Sequence, residues 1–261
     1  MRIATWNVNS IRARSELVVA WMERNDIDVL AMQETKCRDD EFPLMSFLAA
    51  GYDVALCGGG GYNGVAIASR IGLDDIEIGF EGQPTYGSGD TAPAVEARAI
   101  SARCRDIRVW SLYVPNGRAL DDPHYRYKLD WLGALRDIGA LWLAHDPAAQ
   151  IVLAGDWNVI PTDDDVWDPA HFAGRTHVSE PERAALQAIR DAGFHDSALP
   201  YTDAYTFWDY QQLRFPRNEG VRIDYLLSSP AFEDRVRGAF VDREARKGKG
   251  ASDHAPVVVE Y

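Results

Sequence analysis

Cysteine is scarce in this chain of 261 residues: Cys37, Cys57 and Cys104 are odd in number and show no C-x-x-C spacing. A disulfide framework and a structural zinc site are therefore not expected, and a reducing cytoplasm is the simplest home. Long apolar runs are also missing, so no membrane span is expected. The stretch Met1–Asn7 has no apolar core of the kind a signal peptide needs. No glycine-rich phosphate loop is present either. Gly58–Gly61 lacks a following Lys-Ser/Thr and leads into a strand, so it reads as a flexible turn. Positive charge is short: 27 Lys and Arg stand against 40 Asp and Glu, a net charge of -13. Net charge alone argues against nucleic acid as a partner, because phosphate contacts come from clustered Lys and Arg. It says nothing of distribution, however. Basic residues gather at Arg118, Arg126 and Lys128, at Arg214, Arg217 and Arg222, and between Arg235 and Lys249.

What is present suits one large domain over residues 1–261. Hydrophobic residues make up 46% of the chain, enough for a sizeable core. No linker or low-complexity tract divides it. Strand-like apolar runs occur at Ile3–Trp6, Val29–Met32, Gly64–Ser69, Ala97–Ser101, Ile107–Val114, Ile151–Leu153, Val221–Ser228 and Val257–Tyr261. Helical spacing marks Ser15–Arg24, with Ser15 as a candidate cap, and the stretch from Tyr125 to Trp142. Ser179 and Glu182 form a capping box for a further helix. Many short strands with interspersed helices, without βαβ regularity, predict two sheets packed face to face with helices outside. Polar residues at strand ends then line one edge.

Those strand ends carry the chemistry. Asn7 closes one apolar run and Glu34 another. Asp156 and Asn158 follow Ile151–Gly155, and Asp253-His254 precedes the last strand. A lone Glu at a strand end is usually a solvated charge. Asp156 is harder to dismiss, because Trp157 argues for burial and a buried Asp needs a partner. Two residues apart on extended chain, Asp156 and Asn158 would face one side. Asp224 lies inside an apolar run and is a natural acceptor for a ring N–H of His254, fixing its tautomer and supporting its charge. Oxygen-rich ligation by Glu, Asp and Asn suits Mg²⁺ or Mn²⁺ over zinc. Metal, Asp and His could divide the work of phosphodiester hydrolysis.

Six words in order, Thr5-Trp6-Asn7-Val8-Asn9, Met32-Gln33-Glu34-Thr35-Lys36, Tyr113-Val114-Pro115-Asn116-Gly117, Gly155-Asp156-Trp157-Asn158, Arg222-Ile223-Asp224 and Ser252-Asp253-His254-Ala255-Pro256, span the chain. Together they resemble the motifs of exonuclease III-type abasic-site endonucleases, in the endonuclease/exonuclease/phosphatase superfamily. The resemblance implies an α/β fold, a four-layer α/β sandwich of two packed mixed β-sheets flanked by helices. It implies Mg²⁺ or Mn²⁺ as cofactor and double-stranded DNA with abasic sites, or with blocked or recessed 3′ ends, as substrate. Cleavage 5′ to an abasic site, 3′→5′ exonuclease and 3′-phosphatase or phosphodiesterase activity are the implied reactions, carried out by a monomer. By the same resemblance Glu34 is the main metal carboxylate, with Asn7, Asp156, Asn158 and Asp253 around it. Asp156 aligns or deprotonates the attacking water, and Asn158 holds the phosphate. His254, paired with Asp224, steadies the phosphate, and Tyr113 acts at the phosphate or leaving oxygen. Asn116, Phe207 and Arg222 are expected to contact substrate, Phe207 as the wall of a small apolar pocket for a baseless sugar. Loops 82–93 and 214–220 would set the balance among the reactions.

Two other readings are weaker. Inositol-phosphate phosphatases and sphingomyelinases of the superfamily carry a Pro-x-Trp-Cys-Asp-Arg word where this chain has Gly220–Asp224. A non-catalytic DNA-binding relative would lack at least one ligand, and here all are present.

Overall fold

The computed structural model describes residues 1–87, 89 and 92–261; Ser88, Asp90 and Thr91, within the 82–93 segment named above, lie outside the described residues. Fourteen strands are described. They are β1 (Arg2–Asn7), β2 (Val29–Gln33), β3 (Asp53–Cys57), β4 (Val65–Ser69), β5 (Asp74–Ile78), β6 (Thr85–Tyr86) and β7 (Ala94–Val95), followed by β8 (Ala99–Cys104), β9 (Ile107–Tyr113), β10 (Gln150–Asp156), β11 (His195–Asp196), β12 (Asp224–Ser228), β13 (Gly238–Val241) and β14 (Val257–Glu260). The helices are α1 (Ser15–Arg24), α2 (Leu44–Ala49), α3 (Pro123–His145), α4 (Pro169–Phe172), α5 (Glu180–Asp191) and α6 (Pro230–Glu233).

One sheet of six strands runs β13-β14-β1-β2-β4-β3, and a second of six runs β11-β12-β10-β9-β8-β5. Both are mixed: β1 pairs parallel with β2 and antiparallel with β14, and β10 pairs parallel with β9 and antiparallel with β12. Alternation along each strand builds the layers. From β1, Ile3 enters the core between the sheets, while Ala4 and Trp6 face α1 and α2. From the second sheet, Val109, Val152 and Leu226 meet that middle core, whereas Trp110, Leu153 and Leu227 pack outward on α3 and α5. The result is helix, sheet, sheet, helix, as expected from the sequence.

Near the site the middle core turns polar without leaving orphans. Gln33 Nε2 donates to Ser111 Oγ at 3.0 Å, Thr5 Oγ1 donates to Gln33 Oε1 at 3.1 Å, and Ser111 Oγ donates to the Met32 carbonyl at 2.8 Å. Satisfied buried polar groups of this kind fix the sheets in one registration. The capping box at Ser179 and Glu182 is present. Ser15 is instead the first helical residue of α1; Arg14 takes the cap position and makes no side-chain capping bond. No helix among the described residues is long and apolar enough to cross a membrane. The three cysteines are buried and free.

Candidate active site

Strand register assembles the centre. Asp156 ends β10, directly between Tyr113 at the end of β9 and Asp224 at the start of β12. Gly155 makes this row possible, because a Cβ there would fall 2.1 Å from the Leu112 carbonyl oxygen. The first sheet delivers Asn7 from β1, and Glu34 follows β2. The segment before β14 adds Asp253 and His254. Its position is set by Ser252 Oγ donating to the Asn7 carbonyl at 2.7 Å and Trp6 Nε1 donating to the His254 carbonyl at 3.0 Å. Glu34, Tyr113, Asp156, Asp253 and His254 line one cavity of about 210 Å³, together with Asn116, Asn158, His177, Phe172, Phe207, Val221 and Ile223.

His254 is buried, and its Nδ1 lies 2.9 Å and 3.2 Å from the two carboxylate oxygens of Asp224. Its Nε2 points at Asp156 Oδ2, 3.9 Å away. Burial opposes charge on the ring, but Asp224, then Asp156 and Asp253, outweigh it and push its pKa up to about 10. Asp156 shows the reverse balance. Burial dominates, the charges of Asp224 and Glu34 add to it, and its carboxyl is pushed up to about 7 although His254 pulls downward. Its Oδ2 accepts from Asn7 Nδ2 at 2.9 Å and its Oδ1 from the Asn158 backbone N–H at 3.0 Å. Near neutral pH the pair is thus a carboxylate poised to take a proton, facing an imidazolium. Tyr113 remains a phenol, its pKa raised by burial and by the charges of Glu34 and Asp156. The guanidinium of Arg98 stacks on its ring at 4.9 Å.

A water-derived nucleophile, a base beside it and a fixed cation opposite are what an attack on a phosphoryl centre requires. The family model for the Endonuclease/Exonuclease/phosphatase family matches residues 4–254. The chain belongs to that family. Similar solved structures are a 3′ phosphatase, NExo, from Neisseria bound to a product DNA hairpin (TM-score 0.92, 35% identity, 100% of this chain and 99% of that one) and an AP endonuclease from Archaeoglobus fulgidus (TM-score 0.90, 35% identity, 100% and 99%). Exodeoxyribonuclease of Bacillus subtilis is 29% identical over 98% of both chains. Recombination repair protein 1 of Drosophila melanogaster is 30% identical over the whole of this chain, which spans only 37% of that protein.

The family is metal-dependent, and one wall of the cleft fits a hard divalent ion. Glu34 and Asp253 both line it. Lys36 Nζ lies 2.6 Å from Glu34 Oε2 and donates to Asn9 Oδ1 at 2.6 Å, while Asn9 Nδ2 donates to Asp253 Oδ1 at 2.9 Å. Burial raises the Glu34 carboxyl, but Lys36 outweighs it and holds the group below its ordinary value. A wall of ionised oxygens that already draws in an ammonium suits a cation. Asp156, Asp224 and His254 also place ligand atoms within 4.8 Å of one another. Within that trio His254 Nδ1 is already engaged by Asp224.

Asn7 and Asn158 are both held by neighbouring polar groups. Asn7 Nδ2 donates to Glu34 Oε1 and Asp156 Oδ2, both at 2.9 Å, while its Oδ1 accepts from the Asn9 backbone. It ties the metal wall to the base. Asn158 is not on extended chain: its φ is 51°, and a turn rather than strand alternation brings it beside Asp156. Its Oδ1 lies 3.0 Å from His177 Nε2 and accepts from Asn116 Nδ2 at 3.3 Å. One side-chain N–H of Asn158 goes to the Val114 carbonyl at 3.0 Å, which leaves the other for a phosphate oxygen.

The expectation for Arg222 is overturned. It is 4% exposed, and its guanidinium bonds Asp165 at 2.6 Å and Asp196 at 2.5 Å, turned away from the cavity. Two carboxylates beneath the cleft satisfy it, so it braces the β12 entry. Lys128 is likewise buried rather than part of a basic face. In the 235–249 segment, Arg243 stacks on Phe215 at 4.1 Å and Arg246 donates to the Trp208 carbonyl, so these two hold the Phe207 loop. Positive charge reaches the cleft rim from Lys36, Arg118 and Arg175 instead. Phe207 is where expected, its ring 4.8 Å from that of His254.

His177 was not expected. Burial lowers its pKa to about 3, so it is a neutral ring against Asn158 and Asn116. Its segment, Arg175-Thr176-His177-Val178, has no periodicity that could have marked it.

Proposed function

We propose that this protein is a DNA-repair phosphoesterase requiring Mg²⁺ or Mn²⁺, acting on duplex DNA 5′ to abasic sites and at 3′ ends as an exonuclease and 3′-phosphatase. The carrying observation is the opposed pair, Asp156 as proton acceptor and Asp224-supported His254 as imidazolium, on a cavity with one apolar side. All three reactions break the same bond, between phosphorus and O3′. The oxygen of a water attacks phosphorus while Asp156 takes its proton. The P–O3′ electrons leave with O3′, which is then protonated. His254 and the free N–H of Asn158 stabilise charge on the phosphoryl oxygens, and the Tyr113 phenol is a donor on the same side. A divalent ion on Glu34 and Asp253 would neutralise phosphate charge. Phe207, Val221 and Ile223 suit a sugar without a base, which costs little to unstack.

The neighbours named 3′ phosphatase and AP endonuclease, and the relative named exodeoxyribonuclease, support this substrate class. A monomer working in the cytoplasm accords with it. The test uses three labelled duplexes, bearing an abasic site, a 3′-phosphate or a recessed 3′ end, each with Mg²⁺, Mn²⁺ or chelator. Metal-dependent release of a 3′-hydroxyl from at least one is expected. Failure on all three with either metal would refute the reading.

A further inference from the structure

We propose that Lys128 and Glu182 form a buried clamp that positions the phosphate-facing side chains of Asn116, Asn158 and His177. The proposal rests on the phosphoesterase reading of the cleft but concerns two residues outside it. Both side chains are 0% exposed and form an ion pair between α3 and α5. Lys128 Nζ also donates to the Asn158 carbonyl at 2.6 Å and the Asn116 carbonyl at 3.3 Å. Glu182 Oε1 accepts from the His177 backbone N–H at 2.9 Å and from Thr176 Oγ1 at 2.6 Å. Thr176 Oγ1 in turn lies 3.1 Å from the Asn116 carbonyl. One ion pair therefore holds the backbone of all three residues whose side chains meet at Asn158 Oδ1.

Stability alone does not account for such a pair. Exchanging a buried ion pair for apolar residues of similar volume is often neutral or stabilising. Apolar side chains would pack α3 on α5 but could not hold carbonyls and an N–H of three loops. Those loops need holding. Asn158 and His177 sit at φ of 51° and 79°, which non-glycine residues adopt only at an energetic cost. Between Asn116 and the clamp, Gly117 has φ 90°, and a Cβ there would lie 2.6 Å from Thr176 Oγ1 and 3.2 Å from Lys128 Cδ. The Gly117 turn thus runs close against the pair. A shift of about 1 Å at Asn158 is enough to cost on the order of 10²-fold in turnover.

The test is the double variant Lys128→Met with Glu182→Leu, which removes both charges and keeps the volume. A folded protein with a lowered melting temperature is expected, with kcat lowered about 10- to 100-fold and KM nearly unchanged. Added to Asn158→Ala, the double change should cost less than about twofold more, because it acts through that residue. Wild-type kcat in the folded double variant, or full additivity with Asn158→Ala, overturns the proposal. Should the double variant fail to fold, Glu182→Gln serves: a partial kcat loss at unchanged KM supports the clamp, and full kcat overturns it. The side-chain amide resonances of Asn116 and Asn158, followed by NMR, separate this from the function itself. Unmoved resonances in the variants sink the clamp whatever the activity. Moved resonances in a protein whose wild type cuts no DNA sink only the phosphoesterase reading.

Discussion

Replacing Asp224 with Asn isolates its charge, because an amide oxygen can still accept from His254 Nδ1. In the native protein Asp224 is the foremost influence holding the ring pKa up to about 10 against burial. Without that charge, burial is opposed only by Asp156, 3.9 Å from Nε2, and by Asp253. A return toward the ordinary value of about 6.5 follows. At pH 8 a ring of pKa about 10 is about 99% protonated, and one of about 6.5 is about 3% protonated. Loss of the cation alone thus costs about 30-fold, and with weakened orientation the total falls at about 10²–10⁴-fold. The assay is kcat/KM against pH on a 3′-phosphate duplex. Wild type should rise through about pH 7 as Asp156 ionises and fall toward pH 10 as His254 loses its proton. Asp224→Asn should bring the falling limb down to between about pH 6 and 8. Stability follows with the same sign. The raised folded pKa of His254 stabilises fully below about 6.5, and that contribution is lost as pH rises through about 10, so the variant should lack the wild-type decline in melting temperature over that window. A falling limb that stays near pH 10 in Asp224→Asn would refute the reasoning.

Asp156→Asn should bind DNA but lose turnover by several orders of magnitude. It should also melt higher than wild type at pH 8. A folded pKa raised from 3.8 to about 7 means stability present below about 4 and lost as pH rises through about 7, a loss the amide does not suffer; a lower melting temperature at pH 8 contradicts the desolvation argument. Glu34→Gln should weaken Mn²⁺ binding by at least about tenfold in calorimetry, and an unchanged affinity would remove Glu34 from the metal wall. Gly155→Ala should destabilise by about 3 kcal/mol in urea unfolding, since its Cβ would meet the Leu112 carbonyl, and an unshifted midpoint would show that β9 and β10 can separate freely.

Strands buried on both faces were legible because most of their residues had to be apolar: β1, β2, β10 and β12 fall where the runs occur. β5 was not, since Asp74–Ile78 is exposed throughout at a sheet edge and carries no pattern. At the site, the residues ending buried strands stood out, because an acid after an apolar run demands a reason. Their partners were harder to see. Arg222 looked like a substrate contact until Asp165 and Asp196, 57 and 26 residues away, claimed it. Lys128 looked like part of a basic cluster because its helix phase alone does not reveal Glu182, 54 residues on. His177 and the left-handed turn at Asn158 are products of loop closure, which no local periodicity encodes.

The row Tyr113–Asp156–Asp224 joins residues far apart in sequence, and the imidazole facing it arrives only at position 254. On a ribosome this enforces an order of events. A nascent chain that has released β1 through β12 already holds its base, its phenol and Glu34, yet lacks Asp253 and His254. During synthesis the site therefore lacks its imidazolium and Asp253 until the segment before β14 has been made and can dock.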